Sequence, residues 1–155
     1  MFLSLSVRGT PYLKPASQKL ADWANEEYES NPYHAENCVF ETPRGIKVRS
    51  KSEVLIAMTL DQYKIPYRYE DALFVGDTMI YPDFTIRHPV SGAYYYWEHF
   101  GMMDDEAYVA GASKKIAQYA LSGIVPSVQL LMTFETSEEP LRLEYVRNMV
   151  EFYFM

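Results

Sequence analysis

Apolar residues recur at helical spacing in four stretches of the chain and in extended runs between them. Over residues 16–29, Leu20, Trp23, Ala24 and Tyr28 make one stripe, and Asn31-Pro32 ends it, because the residue before a proline is driven from the helical region. Residues 1–15 contain Pro11 and Pro15 and hold no period, so they read as an extended arm. Residues 39–48 read as a short hairpin about Pro43-Arg44-Gly45. Ser50-Lys51-Ser52-Glu53 then opens a second helix, residues 52–63, with Val54, Leu55, Ala57, Met58 and Leu60 as its apolar positions. Three extended runs follow, at 65–70, 78–87 and 93–100; Gly76-Asp77 turns the first into the second and Pro89 to Gly92 the second into the third. Pro82 has no N–H to give a ladder, which predicts an edge or a bulge within the second run.

The third helix is predicted over residues 104–122. Its first turn is acidic, as the helix dipole favours, and Gly123 stands at its end. Val109, Ala112, Ile116 and Ala120 are its expected apolar stripe, while Lys115 and Tyr119, four apart, share a neighbouring face. A strand over 127–134 and a helix over 140–152 close the chain. The predicted order is helix, helix, three strands, helix, strand, helix.

Composition narrows the picture. A chain of 155 residues with 48% hydrophobic and 15% aromatic content supports one folded domain. Cys38 is the single cysteine, so there is neither an internal disulfide nor a thiolate metal cage. No apolar run approaches the roughly 20 residues of a spanning helix, and the first residues lack a basic leader and cleavage site, so no membrane partner and a cytoplasmic location are the expectations. The net charge of −7 excludes coating of nucleic acid by bulk attraction. Residues 20–43 carry six acids and no Lys or Arg, however, and then Arg44, Lys47, Arg49 and Lys51 follow without an acid among them. That strip reads either as a phosphate-holding surface or as a solvated loop and helix entrance.

The candidate chemistry sits in residues 81–101. Asp83 follows Pro82, and Glu98 ends the next strand. Paired about the Pro89 to Gly92 turn, the two carboxylates can lie side by side, an arrangement that calls for a cation. Glu53 has two readings, the reciprocal capping partner of Ser50 and a third acid facing the sheet. An oxygen set of this kind suits magnesium or manganese. On a regular strand the His99 side chain points away from those of Glu98 and Phe100, as a packed or hydrogen-bonded histidine; a bulge would turn it toward the acids. His34 and His88 have no partner at ligand spacing. Tyr94 to Trp97 read as sheet packing, with outward members able to stack on bases.

Pro82-Asp83, Glu98, the helix acid Glu53 and the helix, three strands, helix, strand order resemble the PD-(D/E)XK nuclease superfamily, the restriction-endonuclease-like fold. The run from Arg49 to Glu135, with Arg-Ser-Lys-Ser-Glu, Tyr-Pro-Asp-Phe and Tyr-Trp-Glu-His-Phe-Gly-Met-Met-Asp-Asp, resembles an uncharacterised bacterial group of that superfamily. The resemblance implies an α/β fold, a central mixed sheet of about four strands flanked by helices, with an N-terminal arm and helix over residues 1–38 and the nuclease-like unit over 39–155. In that group the domain often ends a longer chain, so a short version or a fragment of one is implied. It further implies Asp83, Glu98 and Glu53 as metal ligands, joined by the His99 backbone carbonyl, with Mg2+ or Mn2+ as cofactor. The superfamily lysine two positions beyond the second acid is here Phe100. Some members carry it on the next helix, and Lys115-Ile-Ala-Gln-Tyr119 resembles the Gln-x-x-x-Tyr motif of the exonuclease branch, so Lys115 takes the catalytic lysine role, with Lys114 second.

The expected activity is divalent-metal-dependent hydrolysis of phosphodiester bonds, on DNA before RNA, with Arg44, Lys47, Arg49, Lys51, Lys114 and Tyr119 contacting the nucleic acid. Many relatives in the superfamily work as dimers, which makes a homodimer an expectation. The alternative is a catalytically inactive nucleic-acid-binding or assembly module of the same fold. A hydrolase of small phosphoesters ranks below both, because no phosphate-cradling glycine loop is present.

Overall fold

The computed structural model describes residues 18–155. The expected arm of residues 1–15 lies outside them, as do residues 16 and 17 of the first predicted helix. Within them, α1 runs over residues 18–25, shorter than the stripe to Tyr28 predicts, and Leu20 is its buried residue. Tyr28 leaves the helix to exchange hydrogen bonds with the Tyr69 backbone, its hydroxyl donating to the carbonyl and accepting from the amide. A 3-10 turn, Ala35–Asn37, leads to the antiparallel pair β1 (Phe40–Glu41) and β2 (Lys47–Val48), the hairpin read from Pro43-Arg44-Gly45.

The second helix, α2 (Lys51–Gln62), starts where Ser50 is extended and its hydroxyl accepts from the Glu53 amide at 3.2 Å. Only half of the capping box forms. The Glu53 carboxylate turns instead to the Arg49 amide and the Tyr69 hydroxyl.

The second extended run divides into two strands. β3 (Tyr67–Tyr69) is followed by a separate hairpin, β4 (Leu73–Val75) and β5 (Thr78–Ile80), about Gly76-Asp77, and the chain then passes Pro82 into β6 (Phe84–Arg87). Pro82 is the physical reason for the break, since it cannot donate to a ladder at that position. The predicted meander is therefore corrected: β3 pairs with β6 directly, and the β4–β5 hairpin is an excursion from it. β7 (Tyr94–Phe100) pairs antiparallel with β6, and β8 (Leu130–Phe134) joins β7 in parallel after α3 (Glu106–Leu121) crosses over. The result is a four-stranded mixed sheet in the order β3-β6-β7-β8, closed by α4 (Leu143–Phe154).

Alternation along β7 sends its side chains to two layers. Trp97 joins Ile56, Leu60, Tyr67, Phe84, Leu131, Val146 and Val150 in the core beneath α2 and α4. On the other face Tyr96 packs with Tyr119, Leu130, Val75 and Ile80, beneath α3 and the β4–β5 hairpin. The buried face of α3 is not the predicted Val109, Ala112, Ile116 and Ala120: Ala112 and Tyr119 are buried, and Ala120 is exposed. The helix is rotated so that residues 112, 115 and 119 face the sheet, because Glu98 is buried there and needs polar partners.

Candidate acid site at the open edge of β7

The β6–β7 register pairs Phe84 with Trp97, and one step further places Asp83 opposite Glu98. β6 begins only at Phe84, so among the described residues the edge of β7 beyond Trp97 has no strand beside it. Even-numbered residues of β7 face β8, as the Tyr96 amide to Gln129 and the Glu135 amide to the Phe100 carbonyl show. The odd-numbered amides therefore face the vacated edge. Asp83 fills part of it: its Oδ2 accepts from the His99 amide at 2.6 Å. The carbonyl of His99 points to that same edge, since the N–H and C=O of one strand residue lie on one side.

Glu98 is 2% exposed. Lys115 of α3 places its ammonium 2.8 Å from the carboxylate, and the Tyr119 hydroxyl donates to it at 2.6 Å. Both partners come from adjacent turns of one helix face, as the four-residue spacing requires. Tyr119 is fully buried, so the expectation that it contacts nucleic acid is corrected: its ring is core and its hydroxyl serves Glu98. Glu53 approaches from α2, with Oε2 accepting from the Arg49 amide and the Tyr69 hydroxyl, each at 2.8 Å.

The three acids sense one another. Burial pushes the Asp83 carboxyl well above the ordinary range, and the charges of Glu98 and Glu53 push it further, against Lys115 and the His99 amide. Burial also raises Glu98, opposed by Lys115 and Tyr119, and raises Glu53, opposed by Tyr69 and the Arg49 amide. Burial alone would lower the Lys115 ammonium, but Glu98 and Asp83 outweigh it and hold it above the usual lysine value.

Among the described residues, no group of three or more His, Cys, Asp and Glu side chains is gathered as a metal-holding cluster. The donors nevertheless have the chemistry a hard cation takes: carboxylate oxygens, raised by burial and mutual repulsion, with Asp83 Oδ1 and Glu53 Oε1 in no hydrogen bond among the described residues.

Sequence reasoning missed the polar chain behind the acids. His99 stays on a regular strand and points away from Glu98, as a hydrogen-bonded core histidine. Its Nδ1 lies 2.8 Å from the Thr133 hydroxyl, which also accepts from Trp97 Nε1, and its Nε2 lies 2.7 Å from Glu135 Oε1. The Ser52 hydroxyl donates to that same oxygen at 2.5 Å, and the Leu141 amide donates to Oε2. An ionised carboxylate only accepts, so His99 carries a proton on Nε2. Burial opposes ionisation of Glu135, but the Ser52, Leu141 and His99 donors outweigh it and hold its pKa below the ordinary value. Glu135 thus ties Ser52, next to Glu53, to His99, next to Glu98. Nothing in the local sequence marks it, because its partners lie 83 and 36 residues away.

The basic strip is largely paired with other residues of the chain, Arg44 and Lys47 at the surface and Arg49 more deeply. Arg44 pairs with Asp61 and reaches Asn25, and Lys47 stands 3.7 Å from Glu41. Arg49 grips Glu70 with Nε and Nη2, and Nη2 also donates to the Tyr33 carbonyl while Nη1 donates to that of His34. Among the described residues Lys51 and Lys114 make no ion pair. His34 pairs with exposed Glu36, and His88 accepts the Val90 and Ser91 amides within its own turn. Lys51 borders an open groove of about 510 Å³ over the start of α2, shared with Ser50, Ser52 and Glu135. A separate cavity of about 330 Å³, against Leu20, Arg44 and Ile65, contains none of the three acids.

No helix of the described residues is long and apolar enough to cross a membrane. No protein-family model, curated protein or solved structure matches the chain.

Proposed function

We propose that this chain is a divalent-metal-dependent nuclease with a restriction-endonuclease-like fold, hydrolysing phosphodiester bonds in DNA. The observation that carries the reading is the ammonium of Lys115 delivered to buried Glu98 from α3, while β7 holds Phe100 at the position where the superfamily has its lysine. The mixed four-stranded sheet with Asp83 opposite Glu98 supports it as well.

In this reading Asp83, Glu98, Glu53 and the His99 carbonyl hold Mg2+ or Mn2+. When bound, such an ion acidifies water and offsets charge on phosphoryl and leaving oxygens. The protein's own groups do the remaining work. Water adds to phosphorus and gives up a proton to solvent, the bond from phosphorus to the leaving oxygen breaks and that oxygen takes up a proton from solvent, and the Lys115 ammonium stabilises the negative charge that develops. Tyr119 keeps Glu98 in place, and Tyr69 does the same for Glu53. Lys51 and Lys114 contact substrate phosphates, in preference to Arg44 and Arg49, which are committed to internal partners.

The test is cleavage of single- and double-stranded DNA, with RNA as a comparison, in the presence and absence of magnesium. Wild type cuts only with the metal, and Asp83→Ala, Glu98→Ala and Lys115→Ala do not cut. Full activity in the lysine variant alone would refute the role given to Lys115.

A second reading, an inactive nucleic-acid-binding or assembly module, is favoured by Phe100 at the lysine position and by the lack of a gathered ligand cluster among the described residues. Wild type that binds DNA in magnesium and never cuts it decides for that reading.

A further inference from the structure

Three tyrosine hydroxyls surround the acids, and they are not equivalent. Tyr69 donates to Glu53 and Tyr119 donates to Glu98, so both protons are committed. The third, Tyr108, accepts from the Gly101 amide at 3.1 Å, and among the described residues its own O–H reaches no acceptor. It is half-buried rather than enclosed.

Its location follows from the backbone. His99 and Gly101 are two residues apart, so their amides face the same side of the chain, roughly 7 Å from one another. Asp83 takes the first and Tyr108 the second. The phenol oxygen therefore lies along the open edge of β7, next after Asp83. Tyr108, Ala112, Lys115 and Tyr119 follow one another at four, three and four residues, a single face of α3. Ala112, a buried residue with a small side chain, stands between Tyr108 and Lys115 on that face. Burial, Asp83 and Glu98 all act to keep the phenol protonated, against the Gly101 amide and Lys115.

Building on the nuclease reading above, we propose that Tyr108 is a further catalytic residue, whose hydroxyl donates to a non-bridging phosphoryl oxygen of the scissile phosphodiester. The hydroxyl neither gains nor loses a proton. Its hydrogen bond strengthens as charge grows on that oxygen, so it acts on the rate more than on binding.

Tyr108→Phe keeps the ring and removes the donor, and partly exposed Gly101 takes water in its place. With magnesium and a DNA oligonucleotide, kcat falls about 10²-fold, the scale of one lost donor to a developing oxyanion, while KM stays at the wild-type value. A wild-type kcat, or a loss confined to KM, overturns the proposal. Thermal melting establishes that the variant is folded. If it is not, difluorotyrosine at position 108 keeps the size and the Gly101 contact but gives up its proton at lower pH. The alkaline limb of kcat then moves to lower pH, and an unmoved limb overturns the proposal. Wild type without any cleavage defeats the nuclease reading and this inference with it; wild type that cuts beside an equally active Tyr108→Phe defeats this inference alone.

Discussion

Lys115 stands 2.8 Å from the carboxylate of Glu98 although seventeen residues separate them, and it comes from a helix rather than from the strand that carries the acid. The crossover that makes β8 parallel to β7 lays α3 over the sheet face to which Glu98 points. The strand position two beyond the acid is therefore free to be apolar. Phe100 uses it to stack on Phe134.

Replacing Lys115 with methionine leaves Glu98 in the interior without a counter-ion. A fully buried broken pair costs roughly 3–5 kcal/mol; because Lys115 is about one-third exposed, water recovers part of that and the expected loss at neutral pH is about 2 kcal/mol. The pKa of Lys115 is held above the ordinary lysine value, so its contribution is complete at neutral pH and disappears only as pH rises past that value. On acidification the variant approaches wild type as Glu98 takes up its proton. Urea unfolding at neutral and acid pH measures both effects, and equal stability at neutral pH would show that the pair contributes nothing.

Asp83 leads to a prediction of opposite sign. Its folded pKa lies above the unfolded value, so the folded state holds the proton more firmly; the native state is favoured below about pH 4 and loses that advantage as pH rises through the folded pKa. Asp83→Asn, which still accepts from the His99 amide, is therefore more stable than wild type at neutral pH and no more stable below about pH 4. Magnesium raises the wild-type Tm at neutral pH and leaves that of Asp83→Asn unchanged, because an ion that binds only the folded state stabilises by mass action. Melting curves across pH, with and without the ion, check both statements. A variant less stable than wild type at neutral pH would contradict the first.

Glu135 acts on geometry through Ser52 and His99. A double-mutant cycle of Ser52→Ala and Glu135→Gln is expected to give a coupling of about 1 kcal/mol, as for two groups sharing one short hydrogen bond. Glu135→Ala costs about 2 kcal/mol, since it deprives the buried His99 ring and the Leu141 amide of their acceptor. Additive losses in the cycle would mean that the two side chains do not act together.

Several features were legible because they depend on neighbours in the chain. Ser50 as a cap, the Gly76-Asp77 turn and the Pro89 to Gly92 hairpin each follow from residues within a few positions. So does Asp83 opposite Glu98, once a hairpin of that loop length is granted. The split of the 78–87 run was foreshadowed by Pro82, but its outcome was not. Whether a proline marks a bulge or a break depends on which strand lies alongside, and β3 rather than β5 takes the place beside β6.

The rotation of α3 was misread for a similar reason. Apolar residues at 109, 112, 116 and 120 make a regular stripe, yet the helix buries the aromatic ring of Tyr119 and brings in Lys115, because the sheet beneath holds a carboxylate as well as hydrocarbon. A hydrophobic period cannot register a demand set by another element. The same limit hid the fate of the basic strip, where Arg44 and Arg49 are consumed by Asp61 and Glu70, 17 and 21 residues further on. What the chain determined alone was the set of acids, their order and the turns that lead to them, since these are local matters of spacing and backbone preference. Which cation meets Glu98, which hydroxyls are committed and which one at Tyr108 keeps an uncommitted proton were decided by tertiary packing. Only there do residues distant in sequence come within hydrogen-bonding distance, in an interior where burial makes each charge depend on its partner.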